Sequence, residues 1–260
     1  MKKYLKFIYI GIVVLFLYLP IIALVVLSFN ESKSMSVFSG FSLKWYEEMF
    51  SNRMIMQAVI NTFTIAITAS VTATIIGTFA AVGIDGMKTK QQNLILGFNN
   101  IPLLNADIVT GIALLLTFLM FGISLNWGTV YLAHVTFCIP YVILSVRPRV
   151  NKSVNTLYEA ALDLGASRFY AFVKIVLPEL RPGILAGLLL SFTMSVDDFV
   201  ITHFTRGAGI NTISTLIYSQ VKVGIRPSLF ALSTIIFALV LVMLLLVNFL
   251  SKGRKESVIY

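Results

Sequence analysis

Apolar residues in this chain neither alternate nor repeat on one helical face. They run without charge for long stretches, and no charged residue falls between Lys6 and Glu31 or between Arg53 and Asp85. About 20 such residues cross the hydrocarbon core as a helix, so the pattern predicts spans over 8–28 and 58–84. The uncharged stretch 108–146 is too long for one helix, and Ser124-Leu-Asn-Trp-Gly128 divides it into spans over 102–122 and 129–146. Two more follow over 183–204 and 229–250. The expected fold is all-α: a polytopic membrane protein with six transmembrane helices and both termini on one side.

Composition agrees. Hydrophobic residues make up 58% and charged residues 12%, against roughly 45–50% and about 25% in soluble domains, which leaves too little polar surface for a water-soluble fold. The net charge of +9 would suit nucleic acid, but its distribution argues otherwise. With the N-terminus cytoplasmic, fourteen of the 20 lysines and arginines fall inside and six outside, as the positive-inside rule requires. The basic excess is topological, and no nucleic-acid partner is expected. The apolar run at 8–28 exceeds a signal-peptide core and lacks a cleavage site, so it reads as an uncleaved anchor.

One cysteine, Cys138, and two histidines, His134 and His203, exclude a disulfide framework and a Cys/His metal site. Both histidines read as packing or locally hydrogen-bonded residues. No G-x-x-x-x-G-K-[ST] loop occurs, so the chain is expected to carry no ATP site and no cofactor of its own. Nor is there a catalytic triad.

Three carboxylates fall inside predicted spans: Asp107, Asp197 and Asp198. An Asp at a helix centre costs about 2.5–3.5 kcal/mol, and such residues normally face a wet cavity or a partner. No lysine or arginine lies inside a span to pair with them, so a cation pathway is the leading interpretation. Ser191, Ser195, Asp198, Thr202 and Thr205 recur at steps of four and three, one stripe of a continuous helix. This gives Asp198 and Ser195 the stronger place along the pathway, with Asp197 about 100° away. Asp107 would lie nearer the cytoplasm, staggering the acids for an elongated, multiply charged substrate; it reads equally as a helix-start residue favoured by the dipole. Outside, 42–50 reads as a short amphipathic helix in which Trp45 either anchors at the interface or receives a cation on its ring.

The cytoplasmic segment 155–180 contains Glu159-Ala-Ala-Leu-Asp-Leu-Gly165, nine residues, then Ile175-Val-Leu-Pro178. Ala160, Ala161 and Gly165 allow a partner close approach, Gly165 suits a helix C-terminus, and Pro178 is expected to stop the segment before the next span. An amphipathic hairpin on the headgroups is the alternative from residues alone. The spacing resembles the cytoplasmic signature of type I ABC importer permeases, carried here by Glu159, Ala160, Ala161, Gly165, Ile175, Leu177 and Pro178. The six-span pattern resembles that family's transmembrane domain over the whole chain, 1–260, with 58–250 as the permease core. Residues 191–202, 211–218, 28–30 and 41–46 are similar to the branch that imports spermidine and putrescine.

The resemblance implies that 155–180 docks on an ATPase. It also implies a second homologous permease subunit, an ATPase dimer holding ATP-Mg, an extracytoplasmic binding protein, a polyamine substrate and a bacterial inner-membrane location. An importer of another cationic or small organic solute, or a stand-alone ion-coupled transporter, remains open on residues alone.

Overall fold

Specific local chemistry divides the uncharged stretch 108–146. Asn126 opens one helix: its side chain accepts from the N–H groups of Gly128 and Thr129, while Thr129 Oγ1 accepts from the Asn126 N–H. Gly122, at φ +68°, closes the helix before it, with the Ile123 N–H reaching back to the Phe118 carbonyl. A computed structural model describes residues 2–33 and 37–256, without the side chains of 2–5, 152 and 243–256.

The order is α1 (Lys2–Ser28), α2 (Lys44–Ser51), α3 (Arg53–Asp85), α4 (Thr89–Leu104), α5 (Asp107–Met120) and α6 (Trp127–Val146). A 3-10 turn (Arg147–Arg149) leads to α7 (Lys152–Asp163) and α8 (Arg168–Ala171). A π-helical turn (Phe172–Val176) leads into α9 (Leu177–Asp197), followed by α10 (Val200–Thr205), α11 (Ile213–Val223) and α12 (Pro227–Glu256). No strand is formed among the described residues beyond an isolated bridge between Asn30 and Phe41.

Four helical runs are long and apolar enough to cross a membrane: Lys6–Ser28, Arg53–Asp85, Trp127–Arg149 and Arg168–Asp197. A fifth is counted if α4 and α5, bent 110° at their junction, form one span. The apolar part of α12 within the described residues, Pro227–Val242, is shorter; the side chains of the remainder of the expected sixth span lie outside the described residues.

Three expectations are corrected. The third span does not run 102–122: Pro102 lies inside α4, and the chain is extended at Asn105 and Ala106 before Asp107 begins α5. The fifth does not run 183–204, because the helix ends at Asp197 and Asp198 is extended, with ψ 128°. Pro178 does not stop the preceding segment. It has no N–H to give the Lys174 carbonyl, and the backbone widens into the π turn just before it, where Leu177 N–H reaches the Phe172 carbonyl. The helical run continues unbroken from Arg168 to Asp197.

The chain forms two compact units, Gln57–Leu216 and the flanking residues of 1–56 and 217–260. In the flanking unit α12 packs on α1 and α2, burying Leu229, Phe230 and Leu232. Trp45 is only 1% exposed and donates its indole N–H to the Asn30 carbonyl. Asn30, also buried, pins the loop through bonds with the Val37 carbonyl at 2.8 Å and the Ser39 N–H at 2.9 Å.

In the Gln57–Leu216 unit the core lies along the seam of α6 with α9, where Val142, Val146, Cys138 and Leu180 are buried. The seam is close because α9 presents Gly183, Gly187, Ser191 and Ser195 at four-residue steps, all buried. A Cβ on Gly183 would meet Arg149 Cγ at 2.9 Å and the Ser145 carbonyl oxygen at 3.0 Å. Gly183→Val should therefore destabilise the protein by about 1–3 kcal/mol, read as a lower melting temperature in detergent. Gly11→Ala, inside α1 with no heavy atom within 4 Å, should not lower melting; equal behaviour of the two variants would count against the seam.

Candidate functional site

A helix broken inside a membrane leaves backbone N–H groups that lipid cannot satisfy. Asp198 meets that demand at the α9–α10 break. Its Oδ1 accepts from Ile201 N–H at 3.1 Å, and its Oδ2 accepts from Thr202 N–H and from Thr202 Oγ1, both at 2.8 Å. His134, 1% exposed in the middle of α6, completes the network: its Nε2 lies 2.9 Å from Thr202 Oγ1 and 3.5 Å from Asp198 Oδ2, and its Nδ1 lies 2.7 Å from Ser195 Oγ. The Thr202 hydroxyl proton goes to Asp198, so the Thr202 oxygen accepts from His134 Nε2–H, and Nδ1 shares a hydrogen bond with the Ser195 hydroxyl.

This arrangement revises the reading of the polar stripe. Ser191, Ser195, Thr202 and Thr205 are all buried. Ser195 faces His134, the Ser191 carbonyl takes the Cys138 thiol at 3.5 Å, and the Thr205 carbonyl takes Thr129 Oγ1 at 2.8 Å. The stripe is the packing seam against α6, whereas it was expected to line a pathway. Asp198 likewise has a partner; counting only lysines and arginines overlooked the imidazole.

The three acids are not staggered. Asp107, Asp197 and Asp198 line a single cavity of about 220 Å³ with Phe137, Thr193 and Phe199. α5 packs on α10, with Gly111 lying against Phe204 and the Val200 carbonyl, and this brings the first residue of α5 to the break. Asp107 and Asp197 are exposed and make no hydrogen bond or ion pair among the described residues, in contrast to the saturated Asp198. No lysine or arginine lines the cavity. Trp45 belongs to the other unit, buried as described, with the Lys44 ammonium 5.3 Å from its ring centroid. The cation on that ring is its own neighbour.

The motif residues divide between two elements. Glu159, Ala160 and Ala161 sit in α7, which Asn151 caps through Val154 N–H at 3.1 Å. Gly165, at φ +88°, ends α7: its N–H bonds the Leu162 carbonyl and Ala166 N–H bonds the Ala161 carbonyl. Ala161 is buried, whereas Glu159, Ala160 and Gly165 are exposed beside Leu164 and Phe169, two large apolar side chains open to solvent at 89% and 78%. Ile175 lies in the π turn, and Leu177 and Pro178 open α9. Among the described residues no group of three His, Cys, Asp or Glu is placed to hold a metal ion.

Residues 73–256 match the family described as binding-protein-dependent transport system inner membrane component. The chain belongs to this permease family. The permease is 38% identical to the spermidine/putrescine transport system permease protein PotC of Haemophilus influenzae, over 94% of this chain and 95% of that one. It is 36% identical to PotC of Escherichia coli K12, over 93% and 92%. It is 39% identical to the putrescine transport system permease protein PotI of the same strain, over 86% and 83%. The permease fold resembles a chain in the crystal structure of a bacterial ABC transporter involved in import of the acidic polysaccharide alginate. There the TM-score is 0.73 at 14% identity, covering 96% of this chain and 95% of that one. The permease is thus an all-helical, inner-membrane component of a transport system.

His134→Leu should strand the Ser195 hydroxyl and leave Thr202 Oγ1 and the Asp198 carboxylate without the imidazole, while Thr202 keeps its bond to Asp198. Each stranded group costs about 1–3 kcal/mol, so thermal unfolding of the purified permease should fall clearly below wild type. Melting unchanged from wild type would show that the network does not hold the break.

Proposed function

We propose that this permease is the membrane subunit of an ATP-driven importer of polyamines, passing a multiply charged cation through the acid-lined cavity. The observation that carries the reading is the convergence of Asp107, Asp197 and Asp198 on one cavity with no basic residue lining it. Two of these carboxylates, Asp107 and Asp197, have no partner among the described residues, so their cost within a membrane is offset when an ammonium group arrives. The relatives named for spermidine and putrescine transport support the same class of solute. In this reading Asp107 and Asp197 contact substrate. Asp198 holds the break while adding negative charge, Ser195 supports it through His134, and Trp45 braces the 29–43 loop.

The chain works with a second homologous permease subunit, an ATPase dimer that binds ATP-Mg, and an extracytoplasmic binding protein that delivers the polyamine. Both termini face the cytoplasm in this reading, which the distribution of lysine and arginine supports. The ATPase grips the exposed face of α7 around Glu159, Ala160, Leu164 and Gly165. Buried Ala161 and the Ile175–Pro178 stretch tie that face to α9. Because Arg168–Asp197 is one helical run of 30 residues, about 45 Å long at 1.5 Å per residue, a push at one end is delivered beside the acids at the other. ATP closure opens the cavity outward and hydrolysis returns it inward, with the binding free energies of ATP and substrate supplying the bias.

Asp197→Asn should raise the KM for labelled spermidine uptake about tenfold, the equivalent of one lost contact of roughly 1.4 kcal/mol, with little change in melting. Uptake equal to wild type would remove Asp197 from the route. Putrescine should compete and an anionic solute should not. Uptake by the chain reconstituted alone, driven by an ion gradient, would overturn the ATP-driven reading.

Gly165→Val forces a side chain into a left-handed backbone at a cost of about 1–2 kcal/mol. Less ATPase should then co-purify with the complex; full recovery of the ATPase would count against the docking surface.

A further inference from the structure

A second cavity, of about 390 Å³, lies where α6 ends, and no step of the transport reading uses it. Its polar lining is Arg147, Asp85, Asn99 and Asn100, and Leu96 and Leu144 contribute apolar wall. The Arg147 Nε–H is buried without a hydrogen-bond partner, and no carboxylate lies within ion-pair distance of its guanidinium among the described residues. A stranded guanidinium N–H calls for an acceptor from outside the chain.

Asp85 supplies the opposite charge without neutralising Arg147. Its Oδ2 takes the Asn155 amide at 3.0 Å, and its Oδ1 has no hydrogen-bond partner among the described residues. The cavity therefore offers a separated cation and anion with two amides beside them. That pattern fits a zwitterion better than a plain anion, which Asp85 would oppose.

The surroundings place this cavity at a bilayer surface. α6 passes from apolar Val146 directly into Arg147, Pro148 and Arg149. α4, which supplies Leu96, Asn99 and Asn100, leaves α5 at 110° and turns Leu94, Phe98 and Ile101 outward, 63%, 66% and 47% exposed. An apolar stripe on a helix set across a span lies along the headgroup boundary. Leu144, 57% exposed on the span itself, continues the apolar wall toward the acyl region.

We propose that this cavity is a binding site for a phospholipid whose headgroup joins a phosphate to a primary ammonium, as in phosphatidylethanolamine. The phosphate accepts from Arg147 and the Asn99 and Asn100 amides, the ammonium donates to Asp85 Oδ1, and an acyl chain runs along Leu96 and Leu144. The lipid braces α4 against the end of α6.

Native mass spectrometry of the full-length chain, released from mild detergent with defined lipids, tests this. One equivalent of phosphatidylethanolamine should be retained. Phosphatidylglycerol, without the ammonium, and phosphatidylcholine, whose methylated nitrogen has no N–H, should each be retained about tenfold less. Arg147→Gln should lose the adduct, and so should Leu144→Trp, which fills the cavity with Arg147 in place. The headgroup series on wild type decides the matter even where a variant fails to fold. Equal retention of the three lipids, wild-type retention by a folded Arg147→Gln variant, or displacement of the lipid by inorganic phosphate would each overturn the proposal.

Discussion

A polar break within an apolar helix is tolerable only if every freed backbone group finds a partner, and the site of this permease is organised around that requirement. Asp198 takes two N–H groups of α10 and the Thr202 hydroxyl, while His134 ties Thr202 to Ser195 across the α6 seam. With the break held, α10 packs on α5, and Asp107 at the start of α5 lines the same cavity as Asp197 at the end of α9. The packing of small residues Gly183 and Gly187 on α6 is the second half of the same arrangement. It brings α9 close enough for an imidazole on α6 to reach a threonine on α10.

The motif segment obeys a similar logic at the other end of α9. Gly165 ends α7 in a left-handed turn that a side chain would strain, and this leaves Leu164 and Phe169 on an open face. The π turn then absorbs the missing N–H of Pro178 without bending the chain out of its path. A proline that would end most helices sits inside a continuous one, so Phe169 near its start and Asp197 at its end share one helical run.

Much of the fold was legible in the residues. The spans at 8–28, 58–84 and 129–146 agree with α1, α3 and α6 to within a few residues, because long charge-free runs and the Asn126 cap are local signals. The short helix at 42–50 and the Gly165 terminus were equally local. The bent α4–α5 pair was not legible: the expected 102–122 span reads through Asn105 and Ala106, where the chain is extended and α5 turns to pack on α10. α11 was missed because 213–223 is polar on one side and too short to register as a span. Of the candidate site, the three acids were visible by their cost in lipid. Their partners were not: His134 carries no fixed charge, and it meets Thr202 and Asp198 only through the packing of α6 on α9 and α10.

The sequence alone determined that the chain is a helical membrane protein, which side its basic segments favour, and which acids and which cytoplasmic motif stand out. These follow from solvation free energies that each residue carries wherever it sits. The tertiary structure decided which acids share a cavity, which one is spent on holding the backbone, and that the serine–threonine stripe is a seam. Those outcomes depend on where the helix breaks and on which residues of distant helices meet. A phase count along one continuous helix cannot contain either.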